Sequence, residues 1–455
     1  MPARPMGAEN GRPLRSAAIR EDRELASEML FSHHLLVGSH RSPTSDNHHR
    51  DDAMTAKRPS ERTMESSHRK RVEQLKVTDR RSGGPRTPCI AVVGLGYIAQ
   101  TAVLPAFARI RRFARIGALV SDDSQKLNAL RRRYKVWQTY SYDQYEECLA
   151  SGIDAVYIAL PNEQHRDFAV RAAQAGIDVL CEKPMAMTSA DARAMIEAAR
   201  RAKTRLMIAY RLHFDPANLH AISVARSGRL GTLRYVHSTF SMQVSDSGYR
   251  LNPDQGGGPL RDLGIYCINA ARYLFQAEPI SAMAMASSGS DRRFKRIDEM
   301  VSVLLRFPDD RQALFTASFG ASATSSYHLV GTRGSLCVDP AYEENTGACL
   351  SITRGGRTAK RSFRDVDQFA AEIRYFAECI ARRKEPEPSG QEGLADLLAI
   401  EAIEESLRTG RIARVRGAKE RGLRPSQRPT RRQLIAIAPH VGPERLVKVR
   451  DPARP

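Results

Sequence analysis

The chain has 455 residues, of which 42% are hydrophobic, so it is long enough for two domains with a sizeable core; its formal charge is +20. No apolar run approaches the ~18–20 residues of a membrane span, and Leu35-Leu36-Val37 is too short for a signal-peptide core, so a cytoplasmic protein is expected. The 7 cysteines are scattered and lack a C-x-x-C pair, which argues against a disulfide framework or a zinc site and for a reducing compartment.

The charge is unevenly spread. Residues 1–86 hold 17 Lys and Arg against 12 Asp and Glu, and residues 411–455 hold 13 against 3, so the remaining excess between them is only +5. A basic face on the folded body is therefore not expected, and nucleic acid is not an expected partner. Residues 1–86 are rich in Arg, Ser, His and Pro without sustained periodicity and read as a disordered basic arm. Within it, His33, His34, His40, His48 and His49 are too irregularly spaced for a metal tract, and no metal is expected. Arg80-Arg81 is followed by Ser82-Gly83-Gly84-Pro85 rather than an apolar segment, which excludes an export signal of that type. Met54 or Met64 is an alternative start. Residues 411–455, interrupted by Pro425, Pro429, Pro439 and Pro443, read as a disordered basic tail.

Between the tails the pattern divides at about residue 210. Residues 87–210 alternate strand and helix as a doubly wound parallel sheet requires. Strands are predicted over 90–93, 115–120, 136–137, 155–159, 178–181 and 206–209. Helices are predicted over 101–110, 125–134, 142–150, 164–175 and 189–203. From 211 to 410 the sequence becomes an α+β domain. It opens with a helix over 216–227 and a β-rich stretch over 232–244. A helix over 260–274 follows, then alternating strands over 300–307, 312–319, 326–330, 335–338 and 349–352. These predict an open, mostly antiparallel sheet; helices over 366–383 and 393–409 close the domain.

The first strand runs into Gly94-Leu95-Gly96-Tyr97-Ile98-Ala99, a Gly-x-Gly-x-x-Ala turn between a strand and a helix. Gly94 permits the tight turn, Gly96 lets the backbone approach a pyrophosphate, and Ala99 allows close helix–strand packing. The helix N-terminus adds free N–H groups and a positive dipole end. A dinucleotide cofactor is the implied ligand. The residue ending the second strand reads the adenosine ribose: a carboxylate there suits NAD, a hydroxyl and a cation suit NADP. Ser121 with Lys126 favours NADP, whereas Asp122 or Asp123 would favour NAD if either faced the ribose. A helix cap is the structural alternative for Ser121.

Asn162 and His165 follow the fourth strand at the carboxyl edge, where ligands sit; capping the next helix is the alternative for Asn162. Strand five ends in Cys181-Glu182-Lys183-Pro184, which puts a lysine beside the expected nicotinamide, with Pro184 constraining the residue before it to extended backbone. In the second domain Asp262 and Tyr266 lie four apart behind Gly256-Gly257-Gly258, on one helical face. A free phenol has a pKa of ~10, too high for a base at neutral pH, but a neighbouring ammonium stabilises phenolate. Lys183 and Tyr266 thus form a candidate proton-transfer pair, with Asp262 binding substrate or holding the pair.

These residues resemble the Gfo/Idh/MocA oxidoreductase family over about residues 89–412. The resemblance is carried by Ala91-Val92-Val93-Gly94-Leu95-Gly96, Ala118-Leu119-Val120-Ser121, Asp154-Ala155-Val156-Tyr157-Ile158 and Leu160-Pro161-Asn162 with His165. It continues in Cys181-Glu182-Lys183-Pro184-Met185-Ala186, Tyr210-Arg211 with His213 and Asp215-Pro216, and Asp262 with Gly264-Ile265-Tyr266. It implies a Rossmann domain, a C-terminal domain whose open sheet pairs subunits into a homodimer or homotetramer, and hydride transfer between nicotinamide and a sugar carbon. Many members carry histidine at the Tyr266 position; tyrosine there resembles the glucose–fructose oxidoreductase branch. The resemblance then implies Tyr266 as acid/base, Lys183 tuning it, and Asp262 contacting the sugar. Ser121 and Lys126 would hold the 2′-phosphate of NADP. Gly94, Leu95, Gly96, Tyr97, Ile98, Pro161, Asn162, His165, Glu182, Lys183 and Arg211 would line the cofactor. Tyr210 and His213 would join Asp262 and Tyr266 around the substrate, and Tyr249 and Arg250 would lie in a segment covering the cofactor.

The expected function is NADP-dependent sugar oxidation at an aldose C1. The first alternative is an ordinary NAD(P)-dependent dehydrogenase of another aldose, an inositol or a diol. The second is a nucleotide-sensing binding protein whose tails contact nucleic acid, for which the Lys183, Asp262 and Tyr266 set has no use.

Overall fold

The computed structural model describes residues 87–245, 248–344, 346–417 and 446–448. The arm expected over 1–86, and the tail apart from 411–417 and 446–448, lie outside the described residues.

The first layer is a parallel sheet built from β1 (Cys89–Val93), β2 (Arg115–Val120), β3 (Gln138–Tyr140), β4 (Ala155–Ile158), β5 (Asp178–Glu182) and β6 (Leu206–Ala209), in the order β3-β2-β1-β4-β5-β6. That is the doubly wound order, whose strand sequence reverses between β1 and β4 and leaves a crevice at their carboxyl ends. The strands are near-continuous apolar runs because both faces are covered. Their period-2 alternation feeds two cores: Ala91 and Val93 face one, Ile90 and Val92 the other. Four helices cross over in turn. α1 starts as a wide π turn, Ala99–Val103, and continues as Leu104–Arg109; α2 is Ser124–Tyr134, α3 Tyr145–Ala150 and α4 His165–Gln174. α5 (Ser189–Ala202), started by the Thr188 side chain accepting from the Asp191 N–H, leads to β6.

α6 (Pro216–Arg226) then carries the chain into a second, nine-stranded sheet. Its first strand is β7 (Leu233–Ser241). A helix follows, α7, which again opens with a π turn, Leu260–Gly264, before Ile265–Phe275. Next come β8 (Ser281–Ser287), β9 (Met300–Arg306), β10 (Gln312–Ser318), β11 (Thr324–Gly331), β12 (Gly334–Asp339), β13 (Ala348–Arg354) and β14 (Arg357–Phe363). Two helices, α8 (Gln368–Arg382) and α9 (Gly390–Thr409), and a short edge strand, β15 (Ala413–Arg414), complete it. The order is β14-β13-β12-β11-β7-β10-β9-β8-β15; β7 and β10 run parallel and every other neighbouring pair is antiparallel. The core on the Ala91 face is continuous with the one under this sheet.

The expected architecture is present, with four differences. β3 forms at Gln138–Tyr140, just after the predicted 136–137. β8, β14 and β15 were not predicted. β8 reads Ser-Ala-Met-Ala-Met-Ala-Ser, small residues of weak strand preference that pack against α9, and β14 is a charged edge strand. The 211–410 stretch does not stay within one layer: α8 returns to the first sheet, where Phe369, Ile373 and Phe376 join the core facing Ile90 and Val92. Finally, the tail expected to lack packed structure from residue 411 supplies β15, pairing with β8.

Candidate active site

The glycine turn has the geometry its sequence requires. Gly94 has a φ of +90°, and a Cβ there would stand 2.5 Å from the Ala159 carbonyl oxygen, so no other residue fits between β1 and β4. Gly96 is the opposite case: a Cβ would meet nothing within 4 Å, which leaves open space on the side where a pyrophosphate would approach. Tyr97 and Ile98 lead into α1, and the buried Leu95 hands its carbonyl to the Gln100 amide at 2.9 Å. The residues present therefore fit a dinucleotide.

At the end of β2 the competing carboxylates are already engaged. Asp123 caps α2, accepting the N–H groups of Gln125 and Lys126 at 3.0 Å each. Asp122 accepts the Tyr142 N–H at 2.8 Å. Ser121 does not cap α2; its hydroxyl accepts the Asp123 N–H at 3.2 Å, and Lys126 holds its ammonium 3.9 Å from Asp123. The Ser121 hydroxyl and the Lys126 ammonium thus stand together at the end of β2, and each carboxylate already accepts a main-chain N–H.

At the carboxyl edge of β5, Lys183 reaches across to the second domain. Its Nζ donates to the Asp262 Oδ1 and to the Asp262 carbonyl, both at 3.0 Å, and lies 4.8 Å from the centroid of the Tyr266 ring. Asp262 sits in the π turn of α7 and Tyr266 just past it, so the four-residue spacing brings both to one place although the turn is wider than an α-helical one. The second Asp262 oxygen takes the Arg250 Nε at 2.5 Å. Burial would raise the Asp262 carboxyl, but Arg250 and Lys183 outweigh it and hold it well below the usual carboxylate range. Burial likewise pushes the Lys183 ammonium down, and Asp262 outweighs it, so Lys183 stays cationic and is no base. Glu182 accepts from the Tyr157 hydroxyl at 2.8 Å.

Tyr266 is half-buried, its ring flanked by Phe240 at 5.5 Å and Tyr342 at 6.1 Å between centroids. Arg211 also lies over the ring, its guanidinium carbon 5.0 Å from the centroid. Arg211 is itself fixed by the Tyr342 carbonyl at 2.6 Å and the Gln368 side chain at 2.7 Å.

Four predicted residues take positions the sequence did not specify. Asn162 does not cap a helix; its amide donates to the Gly256 carbonyl at 3.0 Å, tying the two domains beside Pro161. His165 is wholly buried, with its ring nitrogens 2.9 Å from the Pro184 carbonyl and 2.8 Å from the Leu160 carbonyl. Its ring thus links the loop after β4 to the one after β5. Tyr210 precedes and His213 lies within the 3₁₀ turn Arg211–Phe214, where residues three apart eclipse. Arg211 therefore faces Tyr266, whereas Tyr210 and His213 turn together into a buried polar cluster. There His213 contacts Asn269 at 3.1 Å, and Asn269 donates to Asp396 at 3.0 Å. The wholly buried Arg272 completes the cluster, paired with Glu278, Glu392 and Asp396 at 2.6, 2.9 and 2.6 Å.

Sequence reasoning missed the aromatic packing around Tyr266, since Phe240 and Tyr342 come from distant strands and loops. It also missed Glu372 on α8. This carboxyl is fully buried, has no hydrogen-bond partner among the described residues, and is held well above its ordinary pKa by burial and by Glu182. An acidic residue in the middle of an apolar helical stripe was the available signal.

Fold and glycine turn together define a dinucleotide-binding domain followed by a second domain built on a mixed, mostly antiparallel sheet. Residues 89–210 match the profile of the oxidoreductase family with an NAD-binding Rossmann fold, and residues 219–337 match the GFO/IDH/MocA C-terminal domain. The chain belongs to the Gfo/Idh/MocA family. It is 30% identical to the D-xylose 1-dehydrogenase [NADP(+)] of Haloarcula marismortui, across 71% of this chain and 92% of that one. It is 30% identical to the trans-1,2-dihydrobenzene-1,2-diol dehydrogenase of Macaca fuscata fuscata, across 53% and 72%. Among solved structures, the aldose-aldose oxidoreductase of Caulobacter crescentus, complexed with glycerol, shares 37% identity at a TM-score of 0.69, across 72% of this chain and all of that one. No described helix is long and apolar enough to cross a membrane.

Proposed function

We propose that this protein oxidises the anomeric C1 of an aldose with NADP, using Tyr266 as the acid/base. The observation that carries this reading is the convergence of Lys183 on both Asp262, at 3.0 Å, and the Tyr266 ring, at 4.8 Å. The dinucleotide supplies the hydride acceptor. The chain supplies the rest. Tyr266 takes the C1 hydroxyl proton as the C1 hydrogen leaves as hydride, which converts the aldose to its lactone. Lys183 and Arg211 bring their cations to 4.8 and 5.0 Å from the centroid of that ring, beside the group that takes the proton. Asp262 has lone pairs left after Arg250 and Lys183 for a sugar hydroxyl, and the Gly256 tie to Asn162 keeps the two halves at one spacing. Ser121 and Lys126 favour the 2′-phosphate, which supports NADP over NAD, in line with the NADP(+) specified for the xylose dehydrogenase.

The test is a steady-state screen of aldoses, inositols and diols with each cofactor, read as nicotinamide absorbance. The expected result is oxidation of an aldose with kcat/KM for NADP at least ~10-fold above that for NAD, the size one charged phosphate contact supplies. Turnover confined to diols would favour the second reading, which rests on the diol dehydrogenase likeness; no turnover of any substrate would overturn both. We also propose that the outer face of the nine-stranded sheet pairs subunits.

A further inference from the structure

The C-terminal segment 446–448 lies against the cofactor half of the molecule, and Gln100 holds it there. Gln100 directly follows the last position of the glycine turn and is 1% exposed. Its amide nitrogen donates to the Leu95 carbonyl at 2.9 Å and to the Val447 carbonyl at 3.1 Å, while its amide oxygen accepts the Val447 N–H at 2.8 Å. One buried side chain thus pairs with both main-chain groups of Val447, as a neighbouring strand would, and fixes the register of the segment. Val447 also packs against the core facing Ile90 and Val92. The next residue, Lys448, then stands with its Nζ 4.0 Å from the Asp123 Oδ2. Lys126 holds its own Nζ 3.9 Å from that same oxygen.

We propose that Lys448 is a ligand of the NADP 2′-phosphate, completing a three-part site with Ser121 and Lys126 and setting the preference for NADP over NAD. The proposal rests on the reading of this crevice as a dinucleotide site. Charge decides the matter. Lys126 alone faces two carboxylates, Asp123 at 3.9 Å and the neighbouring Asp122, so a phosphate would meet a net negative charge at the end of β2. Lys448 brings the local sum to neutral and removes that repulsion. Both lysine contacts are near 4 Å, longer than the ~2.7–2.9 Å of a direct charged hydrogen bond. Neither ammonium is therefore committed to Asp123, and the Lys448 side chain, 51% exposed, is free to turn to an incoming phosphate. A 2′-hydroxyl offers no charge to answer it, so the contribution falls on NADP alone.

The test is calorimetric titration of NADP⁺ and NAD⁺ into the full-length protein, its Lys448→Ala variant and its Lys448→Arg variant. Lys448→Ala should weaken NADP⁺ by ~3–5-fold, a partly exposed charge pair's worth, and leave NAD⁺ within ~2-fold; Lys448→Arg should restore the NADP⁺ affinity. The NADP⁺ difference should shrink as salt rises. Unchanged NADP⁺ affinity in Lys448→Ala, or an equal loss for both cofactors, would overturn the proposal; the latter would make the segment a structural brace. If the unaltered protein binds neither cofactor, the dinucleotide reading itself falls and takes this inference with it.

Discussion

Tyr266 is set apart by its surroundings: two cations over its ring and two aromatic rings that fix its plane. That Lys183, Asp262 and Tyr266 meet was legible in the sequence because each breaks a local rule. A lysine ends a buried strand, and an acid and a phenol share one helical face behind three glycines. The buried cluster that Tyr210 and His213 join was not legible, because adjacency to Arg211 says nothing about direction on a 3₁₀ turn. His213 has a further consequence. Burial pushes its imidazole down to about 4, against an ordinary value of 6.5. Arg272 adds to that push and the Asn269 hydrogen bond opposes it, while the Arg272 charge is itself paired with Glu278, Glu392 and Asp396. Between pH 6.5 and 4 the unfolded chain binds the proton and the folded one does not, so His213 removes stability as pH falls through that window. The loss totals roughly 2–4 kcal/mol at the acid end. Denaturant melts at pH 7 and pH 5 should show His213→Gln losing less stability on acidification than the unaltered protein; equal losses would contradict the assignment.

Among the elements, the two helices that serve the site both open with wide π turns, Ala99–Val103 and Leu260–Gly264. Such turns are rare and concentrate at functional positions. The first places Gln100 below the glycine loop, and the second presents Asp262 to Lys183 and Arg250. Neither was visible beforehand, since apolar periodicity resolves a helix but not its pitch. The parallel sheet was read almost strand for strand because buried apolar runs bounded by glycine, proline and asparagine admit few alternatives. β8 and β14 escaped because one is alanine-rich and the other polar, so what makes each a strand is its neighbour. The return of α8 to the first sheet is a long-range pairing of apolar stripes, and the helix pattern alone does not name its partner.

For the whole molecule, the outer face of the nine-stranded sheet carries exposed apolar side chains. In register across it run Met283, Leu304, Leu314 and His237, flanked by Tyr235 and Met285; Leu314 is 39% exposed and Met285 75%. A row of this kind is what an interface between copies requires. Light scattering should find an oligomer that Leu314→Glu divides into smaller species; identical masses, or a monomer in both, would refute pairing through this face. The account as a whole depends on a lysine of the first sheet and a tyrosine of the second domain acting at one C–H bond. Its most direct test is Tyr266→Phe, measured for both aldose turnover and NADP binding. The account predicts turnover lowered by ~10²–10⁴ with NADP affinity nearly unchanged; near-normal turnover in that variant would contradict it.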